Sequence, residues 1–337
     1  MDYTDSGAGC KGPDAEFGEF CVAGLPRTEA GGRISRTPIG FLGAWAMERA
    51  MIDDRLIPAG ELDGAHLDRG LYFGDGVYEV IRSYDGAIFA LEDHLRRFDR
   101  SLHEVHIEGV SIEQVRARVL RAFEQTGLAN AKIYFHVTRG SEPRSHAPKG
   151  PLKPNFLLTI GPAPDSRADK ERGVAVSTFP DWRWKRCDIK SLNLLPNVLA
   201  RMDAEKKGCA EAILVDETGR ITEGAGSAFF AVDTGRGELI TRPLGPEILP
   251  SITRAHVLRV ADRIGLRAAE RVLTPQAATR ADELFLAVTT KDIVPVVRFE
   301  GTAVGSGKPG PATQRLIEAF GQMVREGAAA VAERDGR

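Results

Sequence analysis

The chain has 337 residues, 42% hydrophobic and 27% charged, with a formal net charge of −2. That length allows two domains, the composition is that of an ordinary globular protein, and so small a charge argues against a nucleic-acid partner. No apolar run approaches the roughly 18 residues of a membrane span, and the start Met1-Asp2-Tyr3-Thr4-Asp5 is acidic where a leader would be basic, so a cytoplasmic protein with no membrane partner is expected.

Residues 1–46 hold nine glycines among scattered charges without a clear period, and read as a flexible extension. Its run Ile39-Gly40-Phe41-Leu42-Gly43-Ala44-Trp45 is apolar enough to dock somewhere on the domain that follows. Globular patterning starts near residue 48. Asp53-Asp54 followed by Arg55-Leu56-Ile57-Pro58 suits a turn between two short strands. Gly74 and Gly76 then break the chain, and 77–84 alternates as a strand with Tyr78, Val80 and Arg82 on one face and Val77, Glu79 and Ile81 on the other. Asp85-Gly86 makes a tight turn and 87–91 returns. A helix is predicted over 92–105, with Leu95, Phe98 and Leu102 on one stripe. A second is predicted over 111–126, capped by Ser111 and stopped by Gly127.

Strands are predicted over 132–139 and 156–160, separated by a loop containing Pro143-Arg144-Ser145-His146-Ala147-Pro148. The proline-rich stretch 161–165 and the charged run to Arg172 form the best linker. Beyond it come a strand over 174–179, a helix over 197–207 ended by Gly208, strands over 212–216 and 227–232 around a loop 221–226, a helix from Ser251 to about Ile264, a buried strand over 283–288 and a closing helix over 311–326.

Cys10, Cys21, Cys187 and Cys209 show no CxxC or Cys/His ligand spacing. They read as reduced thiols, and no metal site is expected. Lys190 stands in the run Cys187-Asp188-Ile189-Lys190-Ser191-Leu192-Asn193-Leu194-Leu195, where its ammonium is costly to bury unless paired or neutralised. Its stem could lie on apolar surface with the head in water, or it could be a desolvated amine of the Schiff-base kind. Glu223 precedes small residues, Gly224, Ala225 and Gly226, that let a flat ring approach the backbone. A carboxylate there would keep a ring nitrogen protonated, as pyridoxal phosphate requires; a solvated turn glutamate is the plainer alternative. Ser251-Ile252-Thr253 opens a helix whose free N–H groups suit a phosphate, and Val288-Thr289-Thr290 and Arg97 could add donors and charge. Arg144 and His146, in a loop stiffened by prolines, offer two cationic donors for a carboxylate.

Together these motifs resemble the class IV aminotransferases, pyridoxal-phosphate enzymes of fold type IV, and within them the bacterial D-amino-acid aminotransferases. The matching pieces are RGLYFGDGVYEV from Arg69, VTRGSEPRSHAP from Val137, RCDIKSLNLLPNVLA from Arg186, TEG from Thr222, SITR from Ser251 and DELFLAVTT from Asp282, in family order over about 48–325. The resemblance implies an α/β (α+β, two-domain) architecture. A small N-terminal α/β domain over 47–164 and a linker over 165–172 would precede a larger domain over 173–330 with a mixed, barrel-like sheet. The cofactor would lie at the domain interface, and 331–337 would be a tail.

It further implies that Lys190 forms the Schiff base with pyridoxal 5'-phosphate and acts as general base, and that Glu223 pairs with the pyridine nitrogen. Arg97, Ile252, Thr253 and Thr289 would hold the phosphate, and Tyr78, Tyr134, Arg144 and His146 the substrate carboxylate. A homodimer acting on amino acids and 2-oxo acids by ping-pong kinetics is implied. The alternatives are an (R)-amine transaminase, a branched-chain L-amino-acid transaminase, an aminodeoxychorismate-type lyase, or a non-catalytic binding protein of the same fold. Two departures from the D-enzyme pattern stand out: Ala225-Gly226 in place of serines, and Val288 in place of a phosphate-binding serine.

Overall fold

The computed structural model describes residues 48–334. The expected extension over 1–46 and the last three residues lie outside them. The described residues 48–60 belong to a unit of their own. There β1 (Arg49–Ile52) and β2 (Arg55–Pro58) pair antiparallel, with Ile52 opposite Arg55. Asp53 takes the left-handed conformation at φ 50°, which a short polar side chain tolerates.

The second unit runs from Glu61 onward. After a 3-10 turn at Gly64–Leu67 comes α1 (Arg69–Phe73), a five-residue helix too short to show a period in the sequence. Asp68 caps it by accepting from the Gly70 N–H at 2.6 Å, and Gly74 closes it at φ 65°. β3 (Gly76–Tyr84) has the expected alternation, with Val77, Glu79 and Ile81 completely buried. After β4 (Ala87–Ile88), Ala90 in the left-handed region at φ 53° turns the chain into α2 (Leu91–Glu104). α3 (Ile112–Thr126) begins where Ser111 accepts from the Gln114 N–H and ends at Gly127. β5 (Ala131–Thr138) and β6 (Asn155–Pro162) complete an antiparallel sheet of order β4-β3-β5-β6. Leu95, Phe98 and Leu102 of α2 pack on it, and Ile189 from the lysine segment joins the same core.

The stretch expected as a linker contains a short helix, α4 (Arg167–Arg172). A nine-stranded mixed sheet follows. Its strands are β7 (Val174–Pro180), β8 (Glu211–Val215), β9 (Ile221–Gly224), β10 (Ala228–Asp233), β11 (Glu238–Thr241), β12 (Arg267–Glu270), β13 (Glu283–Val288), β14 (Asp292–Phe299) and β15 (Thr302–Ala303). The order is β12-β11-β10-β13-β14-β7-β8-β9, with β15 on β14. The pairs β11/β12, β14/β7 and β7/β8 are parallel.

The helices here are α5 (Leu195–Lys206), α6 (Ile252–Arg263), α7 (Pro275–Ala278) and α8 (Pro311–Arg334). Strand alternation feeds two cores. Phe230 and Phe285 stack at 4.8 Å under α6 and α8, while Phe229, Leu284 and Leu286 enter the other core with Val176 and Phe299. Residues 221–224, expected as loop, are strand β9 paired antiparallel with β8. Among the described residues no helix is long and apolar enough to cross a membrane.

Candidate active site

The lysine segment is fastened to the edge of β3. Val77 and Ser191 form an antiparallel bridge, the Tyr78 N–H donates to the Lys190 carbonyl at 3.0 Å, and the Leu192 N–H donates to the Gly76 carbonyl at 2.9 Å. The approach is close: a Cβ on Gly76 would sit 2.6 Å from both Leu192 Cδ1 and the Val137 carbonyl oxygen. Ile189, 5% exposed, plugs into the core under the sheet. Its neighbour Lys190 lines a cavity of about 250 Å³ bordered by both sheets. Lys190 Nζ lies 4.2 Å from the centroid of the Tyr78 ring, within cation–π reach.

Glu223, at the end of β9, is 6% exposed and lines the same cavity. It accepts from Arg183 Nη1 at 2.5 Å and from the Leu249 N–H at 3.0 Å. Burial pushes its carboxyl above the ordinary value, against the opposing pull of Arg183. Arg183 is itself locked, donating to Asp181 from Nε at 2.9 Å and Nη2 at 2.8 Å, and to the Glu247 carbonyl at 3.0 Å. Lys190 is near enough to act electrostatically on Glu223.

The opposite end of the cavity gathers an arginine, a helix start and two threonines, groups that would suit an anion. Arg97, 7% exposed, donates from Nε and Nη2 to Glu79 at 2.8 Å each, and from Nη1 to the Pro250 carbonyl at 3.0 Å. Glu79 also pairs with His94 Nδ1 at 2.7 Å. Burial alone would raise the Glu79 carboxyl, but Arg97 and His94 outweigh it and hold it at about 2. Pro250 leads into Ser251, whose hydroxyl accepts from the Arg254 N–H at 3.1 Å and caps α6. Ile252 and Thr253 are the first two residues of that helix, at its positive end. Thr289 and Thr290, in the turn between β13 and β14, line the cavity, as does Ser251. That turn is pinned: Arg82 Nη1 donates to the Thr290 carbonyl at 2.5 Å, and Asp292, at φ 61°, accepts from Lys170 at 2.7 Å and from the Tyr84 hydroxyl.

Tyr78, Arg97, Lys190, Glu223 and Thr289 therefore converge on one cavity, with Ile252 and Thr253 directly after its lining residue Ser251. Tyr134 lies one strand away, its ring centroid 5.8 Å from that of Tyr78 and its hydroxyl 2.9 Å from His136 Nδ1. Arg144 and His146 do not line this cavity; both pack on Phe73, at 5.2 Å and 5.6 Å from its ring centroid.

Three residues that the sequence does not single out complete the site. Arg183 orients Glu223. Asn197 Nδ2 donates to the Ala225 carbonyl at 2.7 Å, and Glu211 accepts from the Ser227 hydroxyl at 3.1 Å and the Gly226 N–H at 3.3 Å. These two brace the loop where serine hydroxyls are expected. Gly224 packs tightly there: a Cβ would lie 2.2 Å from Ser227 Oγ, so that hydroxyl would have to turn away.

An amine, a buried carboxylate and a helix start flanked by threonines on one cavity match the three parts of pyridoxal phosphate: aldehyde, ring nitrogen and phosphate. The donor set fits, with Val288 leaving the phosphate end to Thr289, Thr290, Arg97 and backbone N–H groups. Among the described residues no group of three or more His, Cys, Asp or Glu could hold a metal ion.

The family model for amino-transferase class IV matches residues 76–299. The D-alanine aminotransferase of Staphylococcus haemolyticus is 36% identical over 281 residues, covering 82% of this chain and 98% of that protein. That of Bacillus licheniformis is 35% identical over 273 residues, covering 81% and 95%. Among solved structures, a branched-chain amino acid aminotransferase of Escherichia coli superposes with a TM-score of 0.73 at 26% identity, covering 80% of this chain and 92% of that one. The T.th. branched-chain amino acid aminotransferase with pyridoxamine 5'-phosphate gives 0.72 at 25% identity, covering 80% and 91%.

Proposed function

We propose, from the premise that the chain belongs to the class IV aminotransferases, that it moves the amino group of D-amino acids such as D-alanine to 2-oxo acids such as 2-oxoglutarate in a ping-pong cycle. The observation that carries this reading is the convergence of the Lys190 amine and the buried Glu223–Arg183 pair on one cavity. The two curated relatives named above are D-alanine aminotransferases, which supports the D-amino-acid side.

Pyridoxal phosphate, when bound, supplies an aldehyde for the amino group and a ring that takes up the electrons of the α-carbon–hydrogen bond. Lys190 would hold it through Nζ, and as a free amine Nζ would be the general base that takes the α-proton and later gives it back. Glu223 as a carboxylate would keep a proton on the ring nitrogen, and Arg183 opposes the upward push of burial on it. Arg183 fixes the angle of that carboxyl. Arg97, Ile252, Thr253 and Thr289 hold the phosphate.

Tyr78, Tyr134, Arg144 and His146 take the substrate carboxylate. Because Arg144 and His146 sit off the cavity of their own chain, a second copy in a homodimer delivers them. Stereochoice follows from placing the carboxylate on one side while Lys190 reaches one face of the ring.

The solved structures favour a second reading, a branched-chain enzyme acting on L-amino acids. Initial rates with D-alanine, L-leucine and (R)-1-phenylethylamine against 2-oxoglutarate separate the two. D-alanine is expected to be fastest, and a faster rate with L-leucine refutes the D-amino-acid reading.

A further inference from the structure

The loop 142–149 has no helix or strand of its own, yet one buried side chain ties it down. Arg69, 3% exposed, is the first residue of α1. Its Nη1 donates to the Glu142 carboxylate and to the Ser145 carbonyl, both at 2.7 Å, and its Nη2 donates to the His146 carbonyl at 2.8 Å. Nε donates to Asp75 at 2.8 Å. Arg139 binds the same Asp75 carboxylate through two bonds of 2.9 Å, and the Lys149 N–H closes the loop on Glu142 at 3.2 Å. Two guanidinium groups balance two carboxylates, so the cluster carries no net charge into the interior.

Phe73, at the other end of α1, is the surface on which the loop's functional side chains rest. The Arg69 guanidinium lies 5.0 Å from its ring centroid, that of Arg144 lies 5.2 Å away, and the His146 ring centroid 5.6 Å away. α1 is itself fixed. Its cap Asp68 accepts from Thr138 Oγ1 at 2.9 Å and Asn155 Nδ2 at 2.8 Å, and Gly70 packs so tightly that a Cβ would meet Thr138 Cγ2 at 2.4 Å.

We propose that Arg69 is a positioning residue for substrate recognition: by clamping the Ser145 and His146 carbonyls it fixes the direction in which the Arg144 and His146 side chains project from Phe73. The proposal rests on the reading of Arg144 and His146 as the carboxylate trap. The work needs an arginine. Its planar fork serves four acceptors at set angles, whereas the single ammonium of lysine cannot span them.

The test uses the cofactor-loaded protein with Arg69→Lys. Deuterium uptake of peptides covering 141–150 is expected to quicken about tenfold. KM for the amino donor it uses best is expected to rise about tenfold with kcat within about threefold, because the loss falls on carboxylate binding. The dissociation constant of the cofactor stays at the wild-type value. Glu142→Gln keeps the carbonyl clamp and loses one charge-assisted bond, so it is expected between wild type and Arg69→Lys in both readouts; it replaces that variant if Arg69→Lys fails to fold.

Unchanged uptake over 141–150 overturns the clamp. Faster uptake with an unchanged KM, in a protein where Arg144→Ala does raise KM, overturns the positioning role. If Arg144→Ala itself leaves KM unchanged, the trap reading has failed and the positioning role falls with it.

Discussion

Replacing Glu79 by glutamine removes the buried anion on which Arg97 rests. Glu79 is completely buried and accepts two bonds of 2.8 Å from Arg97 and one of 2.7 Å from His94. These hold its carboxyl at about 2, against 4.5 for an unperturbed glutamate. A difference of that size corresponds to about 3 kcal/mol. Removing one partner of a buried ion pair independently suggests roughly 3–5 kcal/mol.

The sign follows from the direction of the shift. The folded value lies below the unfolded one, so the contribution is complete above pH 4.5 and is lost as pH falls toward about 2. Glu79→Gln is therefore expected to be about 3 kcal/mol less stable than wild type near neutral pH. The gap should shrink steadily as pH drops below 4.5. Urea unfolding of both proteins, at neutral pH and in steps from about pH 5 to about pH 3, measures the gap directly. A gap that stays constant over that range, or is absent at neutral pH, refutes the ion-pair account.

Further outcomes follow from the same geometry. Arg183→Leu removes the main group that opposes burial at Glu223, leaving only the Leu249 N–H and Lys190, so its carboxyl rises further and holds the ring proton less well; kcat is expected to fall about a hundredfold while the protein still binds cofactor, as cofactor absorbance and steady-state rates will report. Mixing Lys190→Ala with Arg144→Ala under conditions that exchange subunits should restore about a quarter of wild-type activity, because half of the dimers are mixed and each mixed dimer has one intact site. No recovery in exchanged dimers contradicts the delivery of Arg144 by a second copy.

Much of the frame is legible from short-range chemistry. The alternation that buries Val77, Glu79 and Ile81 is a period-two signal, and Ser111, Gly127 and Ser251 mark helix ends through local hydrogen bonds and a left-handed turn. The motif around Lys190 is legible because its residues are consecutive. What escapes is non-local. Arg183 meets Glu223 forty residues away, and Arg69 meets Ser145 seventy-six residues away. No spacing in the sequence marks such pairs.

β9 reads as loop in the sequence because Gly224 and Gly226 look like turn residues, whereas Gly224 is there to clear Ser227 beside a strand. β11 and β12 are four-residue strands, too short for alternation to register. The placement of Arg144 and His146 away from their own cavity is equally invisible, since residue type alone says which ligand a side chain suits and not where the fold carries it.

The central claim is that the amine of Lys190 forms a reversible carbon–nitrogen double bond with the aldehyde of pyridoxal phosphate. Incubating the purified protein with that aldehyde, reducing with borohydride, digesting and locating the added mass by tandem mass spectrometry tests it directly. The label is predicted on Lys190 alone, and absent in Lys190→Ala; a label on another lysine, or none in the wild-type protein, contradicts the account.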